Sequence, residues 1–257
     1  MTPVSGTDKP VTAAGREDTG EVNLSCIIPA YNEAARVAAV VRVAAAHPLI
    51  DEVVVVDDGS VDGTAAAAAA IPGVRVLRLE RNGGKTNALA TGIEAARGHW
   101  LVLLDADLTG LTAAALTRLV RPVLTGRAEV TISLRGNAPL LWRMIGIDYL
   151  SGERVVARDF LAGDLDRLRQ LPRFGFEVHM NRELVRAGQR PEVVRWPGVE
   201  SPGKARKCGL LQGMIADLRM LGDIFQTISP GEAAAQILRL RLGPDAGLPL
   251  RAARRSG

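Results

Sequence analysis

The chain has 257 residues, 47% of them hydrophobic and 23% charged. That is the balance of an ordinary globular protein able to bury one large core or two small ones. It excludes a wholly disordered chain, a collagen-like repeat and a disulfide scaffold, and no apolar run reaches the roughly 18–20 residues of a membrane span. The net charge of +4 is unevenly spread, with nine basic against four acidic side chains in residues 201–257, which suits phosphate, anionic lipid or nucleic acid, or else a solvated helical surface. Aromatic residues, at 4%, are too few for base-stacking platforms, so a nucleic-acid partner is not expected. Cys26 and Cys208 match no zinc spacing and fit a reducing cytoplasm.

Residues 1–21, rich in Thr, Gly, Pro and charge, read as a flexible leader without a secretory pattern. A buried strand is predicted over residues 24–28, ended by Pro29, and a helix over 33–46. A second strand over 52–56 stops at Asp57-Asp58-Gly59-Ser60, a turn and helix-start signal. An Ala-rich helix follows over 62–70, then a strand over 74–79 and a helix over 85–97. A fourth strand, 100–104, ends at Asp105-Ala106-Asp107. A helix over 112–124 and a strand over 129–134 complete the series.

Strands that are continuous apolar runs, alternating with helices, predict an α/β fold: a mostly parallel central sheet with helices on both faces. Right-handed crossovers put the strand C-termini on one edge, where such sheets bind ligands. The unusual residues fall on that edge: Pro29 to Glu33, Asp57 to Ser60, and Asp105 to Asp107. Asp105 and Asp107 flank a single residue, and two carboxylates so close call for a cation or a shared proton. Hard oxygen ligands at a strand end suit Mg²⁺ or Mn²⁺, which then also grips substrate phosphates. Asn82-Gly83-Gly84-Lys85 places two glycines and a lysine at a helix start, resembling a phosphate cradle, although neither a Walker A nor a dinucleotide fingerprint is present.

Taken in order, Ile27-Ile28-Pro29-Ala30-Tyr31-Asn32-Glu33, Val54-Val55-Val56-Asp57-Asp58-Gly59-Ser60, Asn82-Gly83-Gly84-Lys85 and Leu103-Leu104-Asp105-Ala106-Asp107 strongly resemble the family-2 inverting glycosyltransferases of GT-A (Rossmann-like) fold. The resemblance covers residues 24–134 closely and extends more loosely to about residue 197. It implies a nucleotide-sugar donor: Pro29, Ala30, Tyr31 and Glu33 around base and ribose, Asp58 on base or ribose, and Lys85 near the nucleotide. Asp105 and Asp107, with Ala106 between them, would hold Mg²⁺ or Mn²⁺ on the diphosphate. It divides the chain into a leader (1–21), one domain (22–228) with a nucleotide-sugar half (22–134) and an acceptor half (135–228), and a basic tail (229–257).

On the acceptor side, Ser133-Leu134-Arg135 and Ser151-Gly152-Glu153-Arg154 resemble elements of the polyprenyl-phosphate branch, in which arginines hold the acceptor phosphate. Arg135 and Arg154 are the corresponding candidates. Phe174-Gly175-Phe176-Glu177-Val178-His179 resembles that branch's next helix start. It makes Glu177 a candidate for contact with sugar or acceptor and His179 a candidate further metal ligand. Lys204, with Arg206 and Lys207, would close over the diphosphate. Only 15 residues, 136–150, separate Arg135 from Ser151, shorter than the branch carries. The segment is apolar with a Trp, and either packs in the core or dips into a bilayer interface; residues 210–228 present the same pair of alternatives. The implied reaction moves a sugar from a UDP- or GDP-sugar to a lipid phosphate at the cytoplasmic membrane face, by a cytoplasmic or peripheral protein. The alternatives are a hydroxyl acceptor (glycolipid, saccharide or small metabolite), with a carboxylate such as Glu177 or Asp148 as base, or a non-catalytic nucleotide-sugar-binding protein.

Overall fold

In the computed structural model, which describes residues 23–171, 175–201 and 228–242, the run Leu-Ser-Cys-Ile-Ile-Pro-Ala forms β1 (Leu24–Ala30), buried along its whole length. The Val-rich β2 (Glu52–Asp57) pairs parallel to one side of β1 and β4 (Trp100–Leu103) to the other, with β3 (Val74–Arg78) beyond β2. β5 (Thr131–Arg135) and β7 (Glu192–Trp196) pair parallel to each other. β6 (Arg154–Ala157) lies antiparallel between β4 and β5. The seven-stranded order is β3-β2-β1-β4-β6-β5-β7, a mostly parallel mixed sheet, as the sequence predicts.

Alternation along the strands separates two cores. Leu24, Cys26 and Ile28 face α1 (Val37–Ala45), α2 (Thr64–Ala69) and α4 (Ala113–Leu124). Ile27, Leu101 and Leu103 face the opposite layer. That layer holds α3 (Lys85–Ala95), α5 (Leu140–Ile145), α6 (Asp159–Ala162), α7 (Leu165–Arg169), α8 (Gly175–Arg186) and α9 (Pro230–Leu242).

Two helix boundaries differ from expectation for identifiable reasons. α1 starts at Val37, not residue 33. The N–H groups of Asn32, Glu33 and Ala34 donate instead to Ser60 Oγ, Thr64 Oγ1 and Asp62 Oδ2. Side chains of the β2–α2 loop thus hold the β1–α1 loop open. α3 ends at Ala95 because Arg97 turns to the buried Glu52, donating from its backbone N–H to Oε2 and from Nε to Oε1, each at 3.0 Å.

Residues 230–242, within the stretch read as a basic tail, form α9 and pack on α8. Arg182 pairs with Glu232 at 2.8 Å, and the buried Tyr149 hydroxyl donates to Gln236 Oε1 at 2.7 Å. The leader, Phe174, Cys208, Lys204, Arg206, Lys207, nearly all of the 210–228 stretch and residues 243–257 lie outside the described residues.

Candidate active site

The C-terminal edge of the sheet opens into a cleft of about 960 Å³. Pro29, Ala30, Tyr31 and Glu33 enter it from the end of β1, and Asp58 from the end of β2. Gly83, Gly84 and Lys85 come from the start of α3, Asp105, Ala106 and Asp107 from the end of β4, Arg135 from the end of β5, and Glu177 from the first turn of α8. The structure therefore gathers most of the residues singled out in the sequence into one space. Pro139, Trp142, Asp148, Leu150, Leu171 and Ser201 also line it.

Asp58 is buried, and its carboxylate accepts the Gly83 and Gly84 N–H groups at 2.9 and 2.8 Å. The two amides expected to cradle a phosphate are thus occupied by the chain's own anion, a correction to that reading. Burial pushes the Asp58 pKa up; the two amides pull it back, the Asp57 charge raises it again, and the net shift is upward. The turn depends on glycine. Gly59 has φ +69°, and a Cβ there would lie 2.6 Å from the Arg81 carbonyl carbon; Gly84 has φ +89°.

Lys85 bridges the two halves of the cleft. Its ammonium is 2.7 Å from Asp105 Oδ1 and 3.1 Å from Glu177 Oε1. Burial alone would lower the Lys85 pKa, but the two carboxylates hold it well above the ordinary value. Burial likewise raises Asp105, yet the Lys85 charge, helped by Arg135, brings it below its ordinary value. Asp107 Oδ2 accepts from Ser201 Oγ at 2.8 Å. Paired backbone bonds between Thr109 and Glu200 tie the Asp105–Asp107 loop to the segment after β7.

Arg135 lies between two buried carboxylates, with Nη1 3.4 Å from Glu153 Oε1 and Nη2 3.3 Å from Asp148 Oδ2. Glu153 Oε2 also accepts from Ser133 Oγ at 2.7 Å and Ser151 Oγ at 2.8 Å. Burial raises the pKa of both acids. Arg135 opposes this at each, Asp105 adds to it at Glu153, and both remain above their ordinary values.

Two candidates fall elsewhere. Arg154 does not line the cleft. It points to the α3–α8 face of the sheet, where it is fully buried and donates to the Ser151 and Tyr149 carbonyls and to Asn181 Oδ1. Strand alternation sends it away from Glu153. His179 is not with Asp105 and Asp107 either. Two residues beyond Glu177 on α8, it points about 200° round the helix, where its Nε2 lies 3.3 Å from Asp164 Oδ2. Among the described residues no group of three His, Cys, Asp or Glu side chains is placed to hold a metal ion. Lys204 lies outside the described residues. Gly152, Glu153 and Ser201 carry no role in the sequence reading, although the Ser151-Gly152-Glu153-Arg154 element is a visible signal for the first two.

With that geometry in view, residues 25–142 match Glycosyl transferase family 2. That match covers just under half of the chain. The chain is 34% identical over 152 residues to the succinoglycan biosynthesis protein ExoO of Rhizobium meliloti, covering 58% of this chain and 40% of that protein. It is 37% identical over 115 residues to the dodecaprenyl-phosphate galacturonate synthase of Rhizobium johnstonii, covering 41% and 32% respectively. This chain therefore spans less than half the length of these curated relatives. A crystal structure of glucosyl-3-phosphoglycerate synthase from Mycobacterium tuberculosis, in complex with Mg²⁺ and UDP, superposes with a TM-score of 0.61 at 25% identity, covering 90% of this chain and 83% of that one. The fold of the domain is that of the GT-A glycosyltransferases. Its family match ends at residue 142, so Asp148, Leu150, Leu171, Glu177 and Ser201 are contributed to the cleft from outside the matched segment.

Proposed function

We propose that the chain is an inverting, metal-dependent glycosyltransferase that moves a sugar from UDP or GDP to a polyprenyl-phosphate-type lipid at the cytoplasmic face of a membrane. The observation that carries this reading is the single cleft with Asp58, Lys85, Asp105 and Asp107 on one wall and Arg135 on the other. Asp105 and Asp107 fit a divalent cation held mainly through substrate: hard ions of this kind take one or two protein carboxylates and fill their remaining positions with phosphate oxygens and water. A Mg²⁺ or Mn²⁺ ion bound there supplies positive charge against that developing on the leaving diphosphate. Tyr31 and Glu33 flank the base and ribose end.

The acceptor oxygen attacks the anomeric carbon as that carbon's bond to the nucleoside diphosphate breaks, which inverts its configuration. A phosphate acceptor is already anionic and requires no base. Arg135, whose planar fork matches phosphate oxygens, would orient it. A lipid tail finds apolar walls in Pro139, Trp142, Leu150 and Leu171. From the same helix that supplies Trp142, Leu140, Leu141 and Met144 stand 66%, 46% and 77% exposed beside Arg143, a pattern suited to an anionic bilayer interface. Among the described residues no helix is long and apolar enough to cross a membrane. The lipid acceptor is supported by the relative named for dodecaprenyl phosphate.

Asp148 favours a second reading, a hydroxyl acceptor. It lines the cleft, and its raised pKa moves it toward the range of a general base. The solved neighbour named for glucosyl-3-phosphoglycerate is consistent with a small phosphorylated acceptor of this kind.

A thermal-shift panel of UDP, GDP, CDP and dTDP sugars with and without Mn²⁺, on the native chain and Asp107→Ala, tests the donor site. A bound ligand adds about 2.7 kcal/mol at a hundredfold excess over its dissociation constant. A metal-dependent shift for one nucleotide that Asp107→Ala abolishes is expected; no shift with any donor overturns the reading. Transfer to undecaprenyl phosphate then decides the acceptor. With transfer read per folded molecule, as scaled from a melting curve, loss in Arg135→Ala with retention in Asp148→Asn supports the phosphate, and the reverse supports the hydroxyl.

A further inference from the structure

Lys85 places a positive charge among the carboxylates that a divalent ion would use. Its Nζ lies 2.7 Å from Asp105 Oδ1 and 3.1 Å from Glu177 Oε1. Gly152 makes room for this contact: a Cβ at that position would come within 2.7 Å of Lys85 Nζ and 2.8 Å of Asp105 Oδ1. An ion arriving without nucleotide would meet one carboxylate of the pair already engaged and a like charge beside it. It would also find no third acidic, His or Cys ligand among the described residues.

We propose that Lys85 is a built-in counter-cation of the donor site: it occupies Asp105 in the free protein and suppresses divalent-ion binding until a nucleoside diphosphate draws the ammonium away. The inference rests on reading Asp105 and Asp107 as the metal-binding pair. A diphosphate concentrates its negative charge on one group and can replace Asp105 as partner of the ammonium while Glu177 stays beside it, and the Lys85 side chain is 41% exposed, so it can turn toward the cleft. Asp105 is then released as the phosphate oxygens that complete the ion's coordination arrive. Nucleotide and metal bind together, and the metal alone binds poorly. Lys85 thus favours one ligand and opposes the other, so removing its charge moves the two affinities in opposite directions. A residue that only braces the fold would weaken both.

The test is a Mn²⁺ titration followed by electron paramagnetic resonance, with and without UDP or GDP, paired with calorimetry of the nucleotide alone. Lys85→Met is expected to bind Mn²⁺ without nucleotide about tenfold more tightly than the native chain, and the metal-free nucleotide about tenfold more weakly. Lys85→Arg, which keeps the charge, should retain weak binding of free Mn²⁺. Gly152→Ala wedges the ion pair apart without changing any charge and should shift Mn²⁺ affinity in the same direction as Lys85→Met, by less. It also serves as the independent perturbation if Lys85→Met does not fold. Unchanged or weaker Mn²⁺ binding in both Lys85→Met and Gly152→Ala, while the native chain binds Mn²⁺ with nucleotide, overturns the counter-cation role alone. No Mn²⁺ binding by the native chain with either nucleotide overturns the metal-pair reading and the inference with it.

Discussion

On the donor-side wall of the cleft, the carboxylate of Asp58 is held by backbone N–H groups of a neighbouring loop, Gly83 and Gly84. On the acceptor side, Asp148 in the wall and Glu153 buried behind it are held chiefly by side chains, with Ser133, Ser151 and Arg135 around Glu153 and Arg135 beside Asp148. Backbone donors are fixed by the loop's course, so the donor wall tolerates side-chain change around it. The acceptor wall is a buried charge network in which every member is needed, and losing one leaves others unsatisfied. The two walls should therefore fail differently, the donor wall in ligand binding and the acceptor wall in folding.

The largest effect is expected at the donor wall. Asp107 is half-buried, and its carboxylate accepts a hydrogen bond from Ser201 Oγ. Asp107→Ala should lower transfer by about a hundredfold to a thousandfold, the scale seen when one group stabilising transition-state charge is removed. Its melting temperature should stay close to native. Transfer assays beside a melting curve check this, and a variant that unfolds would erase the contrast between the walls.

Second comes the layer behind the acceptor wall. Arg154 is buried with three hydrogen-bond partners, two of them main-chain carbonyls. Arg154→Ala strands all three and should cost about 3 kcal/mol of stability, read as a lowered denaturant midpoint. Nucleotide affinity measured on the remaining folded protein should be native. A variant as stable as the native chain that lost acceptor affinity would return Arg154 to the role its resemblance implied.

These walls also differ in how far the sequence disclosed them. The donor wall was legible because each of its residues lies just after an apolar run that the strand pattern locates, and the parallel sheet brings those ends together. Even there, the partner of the Gly83 and Gly84 amides was not visible, since Asp58 lies some 25 residues away and only the sheet brings it within reach. The acceptor wall depends on β6 entering antiparallel between β4 and β5, and no periodicity in residues 154–157 announces direction. That reversal decides that Glu153 faces the Arg135 network while Arg154 faces Asn181. The motif marked the segment but could not say which of two adjacent charged side chains meets Arg135.

A third, smaller effect probes the backbone donors. Asp58→Ala strands the Gly83 N–H and leaves the Gly84 N–H only Asn82 Oδ1 at 3.2 Å, and should cost about 2 kcal/mol, together with weaker nucleotide binding as the 82–84 loop loosens. Asp58→Asn keeps acceptor oxygen but must turn an amide NH₂ toward one of the two donors, so it should fall between the two. Calorimetric nucleotide titration and thermal melts on the pair measure both quantities. If Asn is no better than Ala, the amide–carboxylate geometry is not what holds the loop.

The smallest effect is expected at His179, the residue that chain position put near the metal and helix geometry turned away. It is buried, its Nδ1 has no hydrogen-bond partner among the described residues, and burial lowers its pKa despite the nearby carboxylates of Glu183 and Asp164. A depressed histidine pKa means that the unfolded chain takes up the proton first as pH falls. The native state then loses stability on acidification through the ordinary histidine value of about 6.5. His179→Leu removes that proton uptake and an unpaired polar atom, and should leave stability at pH 8 within about 1 kcal/mol of native, the scale of a tolerated hydrophobic exchange. Its melting temperature should fall less than the native protein's between pH 7 and pH 5. Mn²⁺ dependence should be unchanged, because the ring points away from Asp105 and Asp107. A variant that lost Mn²⁺ dependence while keeping its melting curve would place His179 at the metal after all, and would mean that α8 turns about its axis when donor binds.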